Sequence, residues 1–205
     1  LFKERLFVAS LGTSLFSFWM NGAHAFVLPF FLQDILNYAP SKVGMLIFPV
    51  SLTVMITAPL GGRISDRFGM KLPATLGLVL TSLAIFSFSL MGREGNDYAV
   101  LWRQVLLGLG IAFFNPANNS AIIGSLPREK GGLASSFLAL ARNLGMVIGI
   151  AFAEMIIALR APVSSLGPEK GSPSFESMES VWRSALLIGL TAILLSWTRR
   201  RRPAN

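Results

Sequence analysis

Apolar residues run through this 205-residue chain in six long blocks separated by short polar intervals. A helix needs about 20 apolar residues, each rising about 1.5 Å, to cross a hydrocarbon core roughly 30 Å thick. The blocks predict spans over residues 6–32, 43–60, 72–91, 99–124, 133–159 and 181–197, the second and last being the shortest. The fold class expected is an all-α membrane protein of six transmembrane helices. Composition points the same way: 53% hydrophobic and 14% charged residues leave too little polar surface to clothe a soluble core of this size.

Laying spans one to three against spans four to six reveals a weak repeat. Each triplet opens with a long span holding an internal proline and an asparagine, Pro29 with Asn21 and Pro116 with Asn115. That is the mark of two inverted three-helix repeats. Within span one, Ser10, Ser14, Ser17, Asn21 and His24 recur at steps of four, three, four and three, which stacks them on one helical face. Lipid rejects such a face, so it turns toward another helix or a water-filled cavity. Asn21 and His24, with Trp19 beside them, are the cavity candidates here. His24 either exchanges protons near neutral pH or donates, uncharged, to a backbone carbonyl. Span four repeats the pattern with Gln104, Gly108, Ala112, Asn115 and Asn119. Asn115 and Asn119 have two open roles, orienting a ligand or bonding helix to helix.

Span five carries the costliest residues. Ala141, Gly145, Gly149 and Ala153 recur every fourth position and predict a smooth strip for close helix packing. Arg142 and Glu154 lie twelve residues apart, roughly 18 Å along the axis and 120° around it, and so cannot pair within the helix. An ionisable group at membrane depth is a functional candidate. Arg142 is expected to meet carbonyls or a carboxylate of a partner domain. For Glu154 two roles are open, a proton site or the outer interface.

Charge then sets the orientation. Eleven lysines and arginines fall on the side of the N-terminal flank, the second and fourth intervals and the Arg199–Arg202 tail, against six on the other. Cationic loops stay cytoplasmic, so both termini are expected there, most simply in a plasma (inner) membrane. Trp102, Trp182, Trp197, Tyr38 and Tyr98 fall near span ends, where an aromatic belt is expected. The net charge of +8 is thus a matter of topology, and nucleic acid is not an expected partner. The chain has no cysteine, and neither a metal nor an organic cofactor is expected. It opens at Leu1, with Lys3-Glu4-Arg5 leading into a span without a signal-peptide pattern, so we read it as a fragment of a longer protein.

The interval 61–72 is expected to be a cytoplasmic gate loop. In it Gly62 and Gly69 permit tight approach, Asp66 accepts from Arg67 or from amides at the next helix start, and Lys71 holds the loop cytoplasmic. This spacing, with Gly62, Asp66, Arg67, Gly69 and Lys71, resembles the G-x-x-x-D-R-x-G-R-K loop of the major facilitator superfamily, with Met70 in place of the usual arginine. The stretches Pro29–Gln33, Gly108–Gly110 and Leu126–Gly145 further resemble the C-terminal six helices of its fourteen-helix drug:proton antiporter branch. The resemblance implies a half-transporter in which spans one and four line the cavity, two and five face a missing N-terminal half, and three and six face lipid. It makes Asp66 and Arg67 gate residues, and places the charged and small residues of span five at the interhalf face.

The function this implies is proton-coupled efflux of hydrophobic or cationic compounds by alternating access. Its partners are a small-molecule substrate, protons, the lipid bilayer and the missing half. An aromatic wall of Phe16, Trp19, Phe26, Phe113 and Phe114 suits bulky apolar or cationic compounds. Transport of an anionic metabolite, favoured by Arg142, and a non-transporting docking module are the alternatives. One histidine and scattered carboxylates offer no catalytic constellation, so an enzyme is not expected.

Overall fold

The computed structural model describes residues 5–93, 95–160 and 174–197. Among the described residues, six helices are long and apolar enough to cross a membrane. They are α1 (Arg5–Phe30), α2 (Pro40–Phe68), α3 (Lys71–Ser89), α4 (Asp97–Ile123), α5 (Gly131–Arg160) and α6 (Phe175–Trp197). Among the described residues there is no strand. The basic tail Arg199–Arg202, Lys3, Lys170 and most of the α5–α6 connection lie outside the described residues.

Several helices outrun their apolar blocks. The second helix is 29 residues and the last 23, so neither is short. Hydropathy marks the thickness of hydrocarbon, whereas backbone hydrogen bonds carry a helix on through polar residues. The same reason corrects the gate loop: residues 61–68 are the last two turns of α2, leaving only Gly69 and Met70 between α2 and α3. The first helix departs the other way. Pro29 removes an amide donor, and Phe31–Ile35 follows as one π-helical turn closed by Leu36 N–H on the Phe31 carbonyl at 3.2 Å.

The two triplets interlock. α1 packs chiefly against α5 and α6, whereas α4 packs against α2 and α3, and α3 meets α6. Exchanging the triplets maps each contact onto its counterpart, as inverted repeats require. The α1–α5 seam is built from small residues. A Cβ on Gly22 would sit 2.5 Å from the Met146 carbonyl oxygen, and Cβ atoms on Gly145 and Gly149 would collide with the Leu15 and Trp19 carbonyl oxygens. The strip Ala141, Gly145, Gly149 and Ala153 is buried against α1, within this half, which corrects its expected place at an interhalf face.

Trp182 is fully buried among Phe31 at 5.2 Å and Phe88 at 5.5 Å between ring centroids, in the core rather than in an interfacial belt. Arg103 is not a loop cation either. It is buried, donating Nε to the Ser87 carbonyl at 2.9 Å and Nη1 to the Ala99 carbonyl at 2.7 Å, and it lies over the Trp102 ring. A second cluster, Phe7, Ile122, Ala134 and Leu138, joins α1, α4 and α5 at the opposite end. Beside it Asn118 donates to the Ser10 carbonyl at 3.2 Å and accepts from Thr13 Oγ1 at 3.1 Å. By contrast, α2 leaves Met45, Phe48, Met55 and Ile56 exposed, and α5 leaves Leu140, Val147 and Met155 exposed.

Candidate functional site

A cavity of about 300 Å³ lies among α1, α2 and α4. Phe18, Asn21 and His24 reach it from α1, Gln104, Leu107 and Asn115 from α4. Asn115 stands eleven residues beyond Gln104, three helical turns on the same face. Ile47, Val50 and Ser51 of α2 form another wall, and Met146 of α5 also contributes. Most of the wall is apolar, so its amides and imidazole are the groups able to orient a guest.

Each polar group has a defined setting. Asn21 Nδ2 donates to the Ser17 carbonyl at 2.8 Å, leaving its oxygen uncommitted. His24 is buried with Nε2 3.3 Å from Gln104 Oε1, its ring 4.7 Å from Phe88. Its Nδ1 has no hydrogen-bond partner. This contact, which joins the two cavity helices directly, corrects the expectation of a backbone acceptor for His24. One turn beyond Asn115 and Met146, Arg142 of α5 donates Nη2 to Asn119 Oδ1 at 2.7 Å and lies over the Phe18 ring at 5.5 Å from its centroid. Arg142 Nε is buried without a partner.

The structure therefore divides the sequence candidates. Asn21, His24 and Asn115 share one cavity. Asn119 does not line it, being engaged by Arg142, and Arg142 thus meets an amide of its own half. Trp19 does not line it either: its ring stacks on Phe16 at 6.0 Å and meets Phe152 of α5 edge-on at 5.4 Å. Nor do the five expected aromatics form its wall, which takes Phe18 instead, while Phe114 is buried in the core. Glu154 is exposed on α5, about 9 Å from the Arg160 end and remote from the cavity. Gln104 and the α2 wall are cavity residues that we did not single out from sequence. Gln104 is already on the polar face of span four, and Ser51 is a polar break in span two.

The motif at the end of α2 has its own geometry. Asp66 and Arg67 are exposed, and among the described residues Asp66 has no hydrogen-bond or ion-pair partner, from Arg67 or from the start of α3. Gly61, rather than Gly62, makes the close approach, for a Cβ there would strike the Ala112 carbonyl oxygen of α4, whereas Gly62 faces open space. Gly69 adopts φ 83°, a conformation L side chains avoid. Lys71 Nζ donates to the Trp197 carbonyl at 3.2 Å and Thr75 bonds Ser196 at 2.8 Å, tying the start of α3 to the end of α6.

Comparison with known proteins fits this geometry. The family model described as Major Facilitator Superfamily matches residues 10–205. The chain is 35% identical over 157 residues to the uncharacterized transporter YebQ of Escherichia coli K12, covering 77% of the chain and 34% of the relative. It is 31% identical to the riboflavin transporter RibZ of Clostridioides difficile, covering 74% and 33%. To the multidrug resistance protein Stp of Mycobacterium tuberculosis it is 27% identical, covering 77% and 29%. The chain thus spans about a third of the length of the curated relatives it matches.

Proposed function

Since the chain belongs to the major facilitator superfamily, we propose that it is the C-terminal half of a secondary transporter that exports hydrophobic small molecules in exchange for protons. The observation that carries this reading is the cavity itself, a mostly apolar space with a few polar groups set between the first helices of two inverted repeats. The missing N-terminal half covers the apolar faces that α2 and α5 leave exposed, and alternating access is a rocking of the two halves about the cavity. In this reading Asp66 and Arg67, exposed beside the Gly69 turn, lock that second half on the cytoplasmic side. Both termini are cytoplasmic in this reading, and the bilayer is the plasma (inner) membrane. The names of relatives such as the multidrug resistance protein Stp support export of foreign compounds.

The test is flux in liposomes carrying the full-length protein, with a panel of fluorescent hydrophobic compounds, neutral and cationic, under an imposed pH gradient. We expect gradient-driven accumulation that a protonophore collapses and that Asp66→Asn lowers at least tenfold without lowering the amount of inserted protein. Flux indifferent to the gradient would overturn proton coupling. A correctly inserted protein that moves no member of the panel would overturn export.

A further inference from the structure

The geometry points to a substrate class: this half of the cavity selects neutral, planar heteroaromatic compounds with hydrogen-bonding edges, and discriminates against organic cations. The inference rests on the export reading and deepens it.

Three observations carry it. First, among the described residues the cavity wall holds no carboxylate, lysine or arginine. A cation entering such a space loses water and gains no counter-charge, a loss of several kcal/mol in general. Second, the nearby fixed charge is positive. Arg142 lies over Phe18, the aromatic ring of the cavity wall, so a cation would meet a ring already engaged by a guanidinium and a like charge beside it. Third, the polar groups match a neutral edge. Asn115 has no hydrogen-bond partner within the described protein, and Asn21 keeps its oxygen free. A side-chain amide carries both a donor nitrogen and an acceptor oxygen. Asn115 is therefore able to serve either sense of a lactam or imide edge. A volume of about 300 Å³ is at the small end of ligand sites and suits two or three fused rings.

The experiment compares two probes in liposomes containing the full-length protein, riboflavin as the neutral heteroaromatic and tetraphenylphosphonium as the hydrophobic cation. Flux is followed under the same pH gradient, and binding by quenching of flavin fluorescence. The wild type is expected to carry riboflavin at least tenfold more efficiently than the cation. Asn115→Leu should weaken riboflavin binding about tenfold, as expected for one hydrogen bond to a desolvated edge. Asn115→Asp should raise cation flux relative to riboflavin by tenfold or more, a gain that misfolding cannot produce. Riboflavin binding of the expected pattern without flux would overturn export and leave the selectivity standing. A wild type that carries or binds the cation as well as riboflavin, or an Asn115→Asp protein with an unchanged ratio, would overturn the inference, as would binding of neither probe.

Discussion

At the scale of single residues, what the fold asks of a side chain is set by the backbone opposite it. Gly149 is such a position, since any Cβ there meets the Trp19 carbonyl oxygen, and backbone cannot yield as a flexible side chain does. We expect Gly149→Val to lower stability by about 1–3 kcal/mol, the usual cost of overpacking, seen as an earlier thermal transition in detergent. A transition at the wild-type temperature would mean that α1 and α5 are less closely apposed than described. Gly69 is constrained by conformation instead, its φ of 83° being open to glycine and costly to others. Gly69→Ala should strain the two-residue turn by about 1–3 kcal/mol and speed limited proteolysis between α2 and α3. Unaltered cleavage kinetics would contradict that strain.

At the scale of elements, the six spans were legible because membrane thickness imposes a length on apolar blocks. The polar faces of α1 and α4 were legible because lipid forbids them. What could not be read is where each polar group finds its partner. His24 meets Gln104 eighty positions away, and Arg142 meets Asn119 across two helices, so both depend on interhelical register rather than on local spacing. The fourfold strip on α5 announced a close neighbour but not that the neighbour is α1. Trp182 sits late in the sequence near an expected span end, yet α6 begins earlier, at Phe175, and this draws the indole into the core. The gate loop dissolved into α2 for a related reason, because a helix end is set by Gly69 and not by the last apolar residue.

At the scale of the whole molecule, orientation is the property on which the proposed gate and the proposed direction of transport depend. The chain has no native cysteine, so single cysteines report cleanly. Ser125→Cys, between α4 and α5, should react with an impermeant maleimide only after the membrane is opened, and Gly95→Cys, between α3 and α4, in intact cells. The reverse pattern would place the Asp66 motif outside. The interlocked pairing has a consequence in time as well as in space. Of these six helices α1 is made first, carrying its serines, Asn21 and His24, yet its chief partners α5 and α6 follow only after residue 130. At roughly 5–20 residues per second a ribosome needs on the order of ten seconds to deliver them. During that interval a helix with a polar face is a client awaiting its mates, and what shelters it during synthesis governs how much of the protein survives to be used.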